Sequence, residues 1–159
     1  MTEKKLAIIA TKGTLDWAYP PFILASTASA LGYETQVFFT FYGLQLLRKK
    51  LNLKVSPLGN PGMPMPLGMD KWFPVMGTAL PGMESVMSAM MRKKMKEKGV
   101  ASVEELRDLC IEAEVKMIAC QMTVDLFDFT PDEFIDGIEY GGAATFFEFA
   151  GESDICLYV

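Results

Sequence analysis

Leu6 to Thr11 and Val115 to Ala119 are short apolar runs in which hydrophobic residues do not alternate with polar ones. A strand with one face in water alternates, whereas an unbroken run suits a strand buried on both faces. Such strands belong to parallel sheets covered by helices. Parallel neighbours cannot be joined by a hairpin and need a crossover of a dozen residues or more. The chain supplies one between Leu6–Thr11 and the next strand-like run, Glu34–Thr40, where Trp17 to Leu31 carries small and apolar residues at helical spacing and Gly32 provides a stop. Pro20 and Pro21 fit best in or before a first helical turn, so the spacing allows a start as late as Pro21. Strand, helix and strand in under forty residues form a βαβ unit whose crossover should be right-handed.

The remaining chain continues the alternation. Gly43 to Lys50 reads as a short helix with a basic end, and Glu84 to Lys98 as a longer one closed by Gly99. In the latter, Val86, Met87, Met90, Met91 and Met95 approximate one apolar stripe, the pattern of a core or interface face. Its basic run, Arg92 to Lys98, reads as a solvated face. Ser102 and Glu105 form a capping box for a helix to about Glu112, and Val115 to Ala119 is a third strand ending at Cys120. Thr123 could cap a short helix over Val124 to Phe127, and Thr130 with Pro131 opens another. Gly137 to Tyr140 is a short strand, Gly142 to Ala150 a helix, and Ile155 to Val159 a last strand. These elements specify an α/β fold, a doubly wound sheet of four or five mainly parallel strands flanked by helices, with the first strand central.

One segment resists the pattern. From about 51 to 83 the chain is dense in Met, Pro, Trp and Phe, and the prolines forbid a regular helix or central strand. A long apolar loop of this kind is expected to be a lid or a subunit contact. At 159 residues the chain is read as a single domain, 1–159, carrying this loop.

Composition narrows the chemistry. There is no histidine, which excludes Cys–His and Ser–His nucleophiles and makes zinc a poor expectation; no metal site is expected. The net charge of −5 argues against nucleic-acid binding. Three cysteines do not make a secreted disulfide framework, and the apolar run after Met1 is too short for a signal peptide or membrane span, so cytoplasm is the expected compartment. The turn Lys12, Gly13, Thr14 lacks the glycine spacing of a dinucleotide site and a Walker A lysine, and no cofactor is expected.

What remains is thiol chemistry. In an open parallel sheet, sites lie beyond the carboxyl ends of the strands near the point where strand order reverses. Cys120 ends the third strand at a helix start, where a thiol becomes reactive. Cys110 lies in the preceding helix, towards the opposite edge, and Cys156 lies mid-strand; both read as small hydrophobes. Backbone N–H groups of Gln121, Met122 and Thr123 would stabilise an anionic sulfur. With the first strand central, Lys12 and Gly13 would lie beside Cys120 and complete the pocket, although a solvated strand-end lysine explains Lys12 equally well.

Several pieces in this order resemble one known family. They are Ile118 to Thr123 around Cys120, the loop Gly59 to Pro66, and Leu80 to Met83 ahead of Met90 to Lys94. Together they resemble the DsrE-like sulfurtransferase family, in the subgroup labelled DsrE2 and at times called peroxiredoxin-like. The likeness runs from Lys5 to Val159. It implies a flavodoxin-like fold, a homo-oligomer, and a cysteine that carries sulfur as persulfide or thiosulfonate, which maps to Cys120. Some members use a second cysteine upstream; Cys110 is the candidate here and its role stays open. The peroxiredoxin label has no support in a Thr-x-x-Cys motif.

The expectation is therefore a sulfur carrier or sulfurtransferase working as a relay, with sulfur donors and acceptors, proteins or small sulfur compounds, as partners. A membrane-protein partner is left open. The rival is a non-catalytic oligomeric binding module in which Cys120 is only packed.

Overall fold

The computed structural model describes residues 3–58, 62, 68, 71–72 and 74–159. The middle of the Met/Pro stretch expected at about 51–83, including Gly59 to Pro61 and Met63 to Leu67, lies outside the described residues. The described chain divides into two compact units. The larger one holds residues up to Gly13, Trp17–Asn52 and Val103–Val159.

The sheet belongs to the larger unit. Its strands are β1 (Lys5–Ala10), β2 (Glu34–Phe39), β3 (Lys116–Cys120), β4 (Glu139–Gly141) and β5 (Ile155–Tyr158), in the order β4-β3-β2-β1-β5. Every pairing is parallel, with Ala10 beside Phe39 and Phe39 beside Ala119. Three helices sit in the crossovers: α1 (Leu15–Ala30), α3 (Val103–Glu112) and α5 (Ala143–Ala150). On one face Phe22 of α1 meets Phe39 at 5.9 Å between ring centroids, and the Cys110 thiol of α3 donates to the Phe22 carbonyl at 3.4 Å. On the other, Phe146 of α5 packs on Phe38 at 5.5 Å, within a core of Ala7, Ile118 and Cys120. This is the expected doubly wound α/β sheet, with five strands.

Four local expectations are corrected. The strand at the centre is β2; the order reverses at β1, which has β2 on one side and β5 on the other. α1 begins at Leu15, so Pro20 and Pro21 lie inside it. The carbonyls of Asp16 and Trp17 thereby lose intrahelical donors, yet Ala18, Phe22 and Ala25 are fully buried along one stripe. Burial of that stripe outweighs the two missing bonds. The helix expected from Gly43 is a 3-10 helix over Phe41–Leu47. Cys156 is exposed, because β5 is an edge strand and its pairing with Ala7 turns the thiol to the face on which the eight-residue α5 packs.

Two glycines set how the loop after β1 meets the turn after β2. A Cβ on Gly43 would stand 2.2 Å from the Ala10 carbonyl oxygen, and one on Gly13 would stand 2.2 Å from that of Tyr42. Both obstacles are backbone, so neither can swing away. Thr40 N–H donates to the same Ala10 carbonyl at 3.0 Å. Gly43→Ala should therefore destabilise by roughly 1–3 kcal/mol, read as a lower urea midpoint. An unchanged midpoint would mean that the two backbones are not so close.

The smaller unit comprises Thr14–Asp16 and Leu53–Ser102, including α2 (Met83–Glu97) and a 3-10 helix over Val75–Ala79. Polar contacts tie the extended residues 53–55 to α2. Ser88 Oγ accepts from Val55 N–H at 2.9 Å, Lys54 pairs with Glu84 at 2.8 Å, and Arg92 donates to the Leu53 carbonyl. Arg92 thus has a defined partner, where a purely solvated basic face was expected. In the methionine stripe Met87 is buried while Val86 and Met90 are exposed.

Candidate functional site

Cys120 is the last residue of β3, and the following helix α4 (Gln121–Leu126) starts directly behind it. No turn intervenes, so Cys120 itself takes the N-cap position, with extended backbone. Thr123, expected as the cap, lies inside α4 and is fully buried. Its hydroxyl faces the end of the neighbouring strand β2. There Thr40 Oγ1 lies 3.2 Å from Thr123 Oγ1, and the Phe41 N–H donates to Thr123 Oγ1 at 3.3 Å. Phe41 adopts φ 48, a left-handed backbone that is uncommon for an aromatic residue. Unusual backbone of this kind persists where surrounding contacts over-determine it.

The site's flanks are fixed to each other. Lys49 N–H donates to the Glu133 carbonyl and Ile135 N–H to that of Leu47, both at 2.9 Å, while the Arg48 guanidinium meets the Glu133 carboxylate at 2.8 Å. Tyr42 stacks on Phe127 at 5.9 Å, and Phe41 meets the same ring edge-on at 6.4 Å. Phe41 and Tyr42 remain 44% and 65% exposed, so the rim beside the thiol is aromatic and open.

The electrostatics separate the cysteines. Burial pushes the Cys110 thiol up to about 11. Burial also acts on Cys120, which is only 5% exposed, but here it is overcome. The hydroxyls of Thr123 and Thr40 and the N–H groups of Thr123 and Met122 favour the anion and bring the thiol below its ordinary value. All four groups are uncharged, so the shift comes from hydroxyl and amide dipoles.

A lowered pKa means that the thiolate forms at lower pH. The pH midpoint for alkylation of Cys120 should thus fall below that of an ordinary cysteine, while Cys110 stays inert until the solution approaches pH 11. Peptide-resolved mass spectrometry across a pH series reads both. A Cys120 midpoint at or above that of free cysteine would contradict the geometry.

The other expected pocket residues are placed differently. Since β2 stands between β1 and β3, the turn after β1 meets Tyr42 rather than the end of β3. The Lys12 ammonium sits over the Trp17 ring, 3.2 Å from its centroid. Gly13 serves the close backbone approach to Tyr42. The Gln121 side chain donates along α4 to Asp125 at 2.8 Å, and the Met122 side chain is exposed. Thr40 is the residue that sequence reasoning missed. The signal was present: in a parallel sheet the residue after β2 lies beside the end of β3, once β2 rather than β1 is taken as the central strand.

Cys120 therefore ends a strand of a five-stranded parallel sheet, with the paired hydroxyls of Thr40 and Thr123 at the same carboxyl edge. The DsrE/DsrF/DrsH-like family model matches residues 2–158, nearly the whole chain. The chain belongs to the DsrE/DsrF/DrsH-like family. Among curated relatives of this family member, the sulfur carrier protein DsrE2 of Allochromatium vinosum is 81% identical over 159 residues, covering all of both chains. A Bacillus subtilis protein named uncharacterized protein YrkE is 32% identical over 164 residues, again covering both chains in full. The family fold also resembles the crystal structure of the ychN protein from E. coli, with a TM-score of 0.55 over 98% of this chain and 99% of that one. At 12% identity that likeness concerns the fold alone.

Proposed function

We propose that this chain is a sulfur carrier in which Cys120 holds sulfur as a persulfide or thiosulfonate and passes it to an acceptor thiol. The observation that carries the reading is the place of Cys120, at the carboxyl end of β3 and the start of α4 beside Thr40 and Thr123, where the thiol is brought down while burial pushes Cys110 up. The name borne by the 81% identical relative supports the same chemistry.

By the persulfide route the transfer needs no net oxidation. The Cys120 thiolate attacks the outer sulfur of a persulfide or polysulfide donor, a new S–S bond forms, the donor's S–S bond breaks, and the donor leaves as its thiolate. From thiosulfate the leaving group is sulfite. In the second half the acceptor thiolate attacks the outer sulfur, and Cys120 leaves as thiolate. A low pKa helps both halves. It raises the thiolate fraction at any given pH, and it makes Cys120 the better leaving group, since thiol exchange quickens as the leaving thiol's pKa falls.

A homo-oligomer in the cytoplasm belongs to this reading. No helix among the described residues is long and apolar enough to cross a membrane. Trp17 and Leu24 of α1 and Leu31 just after it recur every seven residues and are all exposed, as are Phe147 and Tyr158 near the other sheet face. Apolar surface of this extent is what an interface between copies would cover.

The test is to incubate the protein with polysulfide or thiosulfate and map adducts by peptide mass spectrometry under non-reducing conditions. The reading expects the added sulfur on Cys120. Sulfur found solely on the exposed Cys156, or on no cysteine, would overturn it.

A further inference from the structure

Beside Cys120 two hydroxyls and one backbone N–H form a connected set, and their protons can be counted. The Phe41 N–H has no lone pair and donates to Thr123 Oγ1. Thr40 Oγ1 and Thr123 Oγ1 are 3.2 Å apart, and either can be the donor, though one proton must lie between them. Each hydroxyl has a single proton. If both pointed at the sulfur, the Thr40–Thr123 contact would hold two oxygens with no hydrogen between them. Thr123 is fully buried, so water cannot fill the gap. With Thr40 donating to Thr123, both acceptor positions of Thr123 Oγ1 are filled, by Thr40 and by Phe41. The proton of Thr123 is then left for the sulfur three residues earlier on the first turn of α4.

We propose that Thr40, with the Phe41 N–H, is a positioning residue that holds Thr123 so that its one hydroxyl proton points at the Cys120 sulfur. This rests on the sulfur-carrier reading for its purpose, but not for its geometry. The donor series runs from the end of β2, through Thr123, to the end of β3. It explains why an aromatic residue with φ 48 follows Thr40: that turn brings the Phe41 N–H to Thr123. An anion on the sulfur, whether thiolate or the outer atom of a persulfide, meets a hydroxyl that has already been oriented. A hydrogen bond aimed in advance costs no reorganisation when the charge forms.

A serial arrangement has a signature that parallel donors lack. In a Cys156→Ser background, which removes the exposed thiol, the pH midpoint of Cys120 alkylation by iodoacetamide is followed by peptide mass spectrometry. Thr40→Val should raise the midpoint and lower the thiolate fraction at neutral pH by about two- to tenfold, the scale of one hydrogen bond. Thr40→Ser should restore it. Thr123→Val should shift it at least as far, and adding Thr40→Val to Thr123→Val should shift it no further.

An unchanged midpoint in Thr40→Val, or a double variant whose shift is the sum of the two, would overturn the proposal. Protection of the buried Cys110 reports that a variant has folded; if Thr40→Val fails that check, Thr40→Ala takes its place with the same expectations. The midpoints are read without any sulfur donor. A wild-type protein that takes up no sulfur therefore contradicts the carrier function and leaves this reading intact, and the converse also holds.

Discussion

Cys120→Ser is expected to abolish sulfur uptake while leaving the fold in place. The exchange keeps volume and hydrogen-bonding capacity close to the original, and Thr123 and the two backbone N–H groups can serve a hydroxyl as they serve a thiol. Stability should therefore change by about 1 kcal/mol or less. The chemistry should change completely, because an alcohol is almost wholly protonated at neutral pH and forms no persulfide. Cys110 cannot substitute: it is fully buried, with a thiol pushed up to about 11. Against a thiol of ordinary pKa, that shift alone lowers the thiolate fraction by roughly two orders of magnitude at neutral pH. Cys156 is exposed, and it could collect sulfur from a strong donor. A residual adduct in Cys120→Ser would thus have to map to Cys156 and disappear in the double variant. The check is the intact mass of wild type, Cys120→Ser and Cys120→Ser/Cys156→Ser after the same donor treatment.

The second large effect is structural and concerns Arg107 of α3. It is only 5% exposed, and its guanidinium donates to the Leu46 carbonyl at 2.9 Å and the Arg48 carbonyl at 2.7 Å. These are the carbonyls where the 3-10 helix ends. Burial lowers the pKa of Arg107, with Asp108 and Glu104 opposing, so desolvation weighs against the residue. The two bonds weigh for it, since a charged donor to a carbonyl contributes about 1.5–3 kcal/mol.

Arg107→Ala leaves both carbonyls without their donor and opens a cavity, while relieving the desolvation. The balance should be a loss of roughly 2–4 kcal/mol. In a chain of this length that corresponds to a fall in melting temperature of about 5–15 °C. Arg107→Lys, with one ammonium in place of a planar fork, should recover less than half of the loss. A melting temperature that rises in Arg107→Ala would show that desolvation exceeds the hydrogen bonds.

The sheet was legible in the chain because its signals are local. The apolar runs at Leu6 and Val115, the capping box at Ser102 and the glycines after helices act over a few residues, and the elements appear where those signals lie. Strand order is not local. Nothing within Leu6 to Ala10 states whether β1 or β2 is central, and the misplacement of Lys12 beside Cys120 followed from that one choice. The prolines of α1 show the same limit: local propensity ran the helix from Trp17 and allowed a start as late as Pro21, and burial of Ala18, Phe22 and Ala25 holds it from Leu15.

Within the site, Cys120 could be singled out because strand end and helix start are both written around it. Thr40 could not, since it reaches the thiol only across the sheet. The exposure of Cys156 escaped for a similar reason, as an edge strand and a central strand of four or five apolar residues read alike.

The most direct measurement follows one sulfur atom on and off Cys120. The Cys156→Ser protein is loaded with polysulfide, freed of excess donor, weighed intact, mixed with a small acceptor thiol and weighed again. The account predicts a gain of one sulfur mapped to Cys120, then a return to the starting mass as a persulfide appears on the acceptor. A protein that gains no sulfur on Cys120, or that holds its sulfur in the presence of the acceptor, would contradict it.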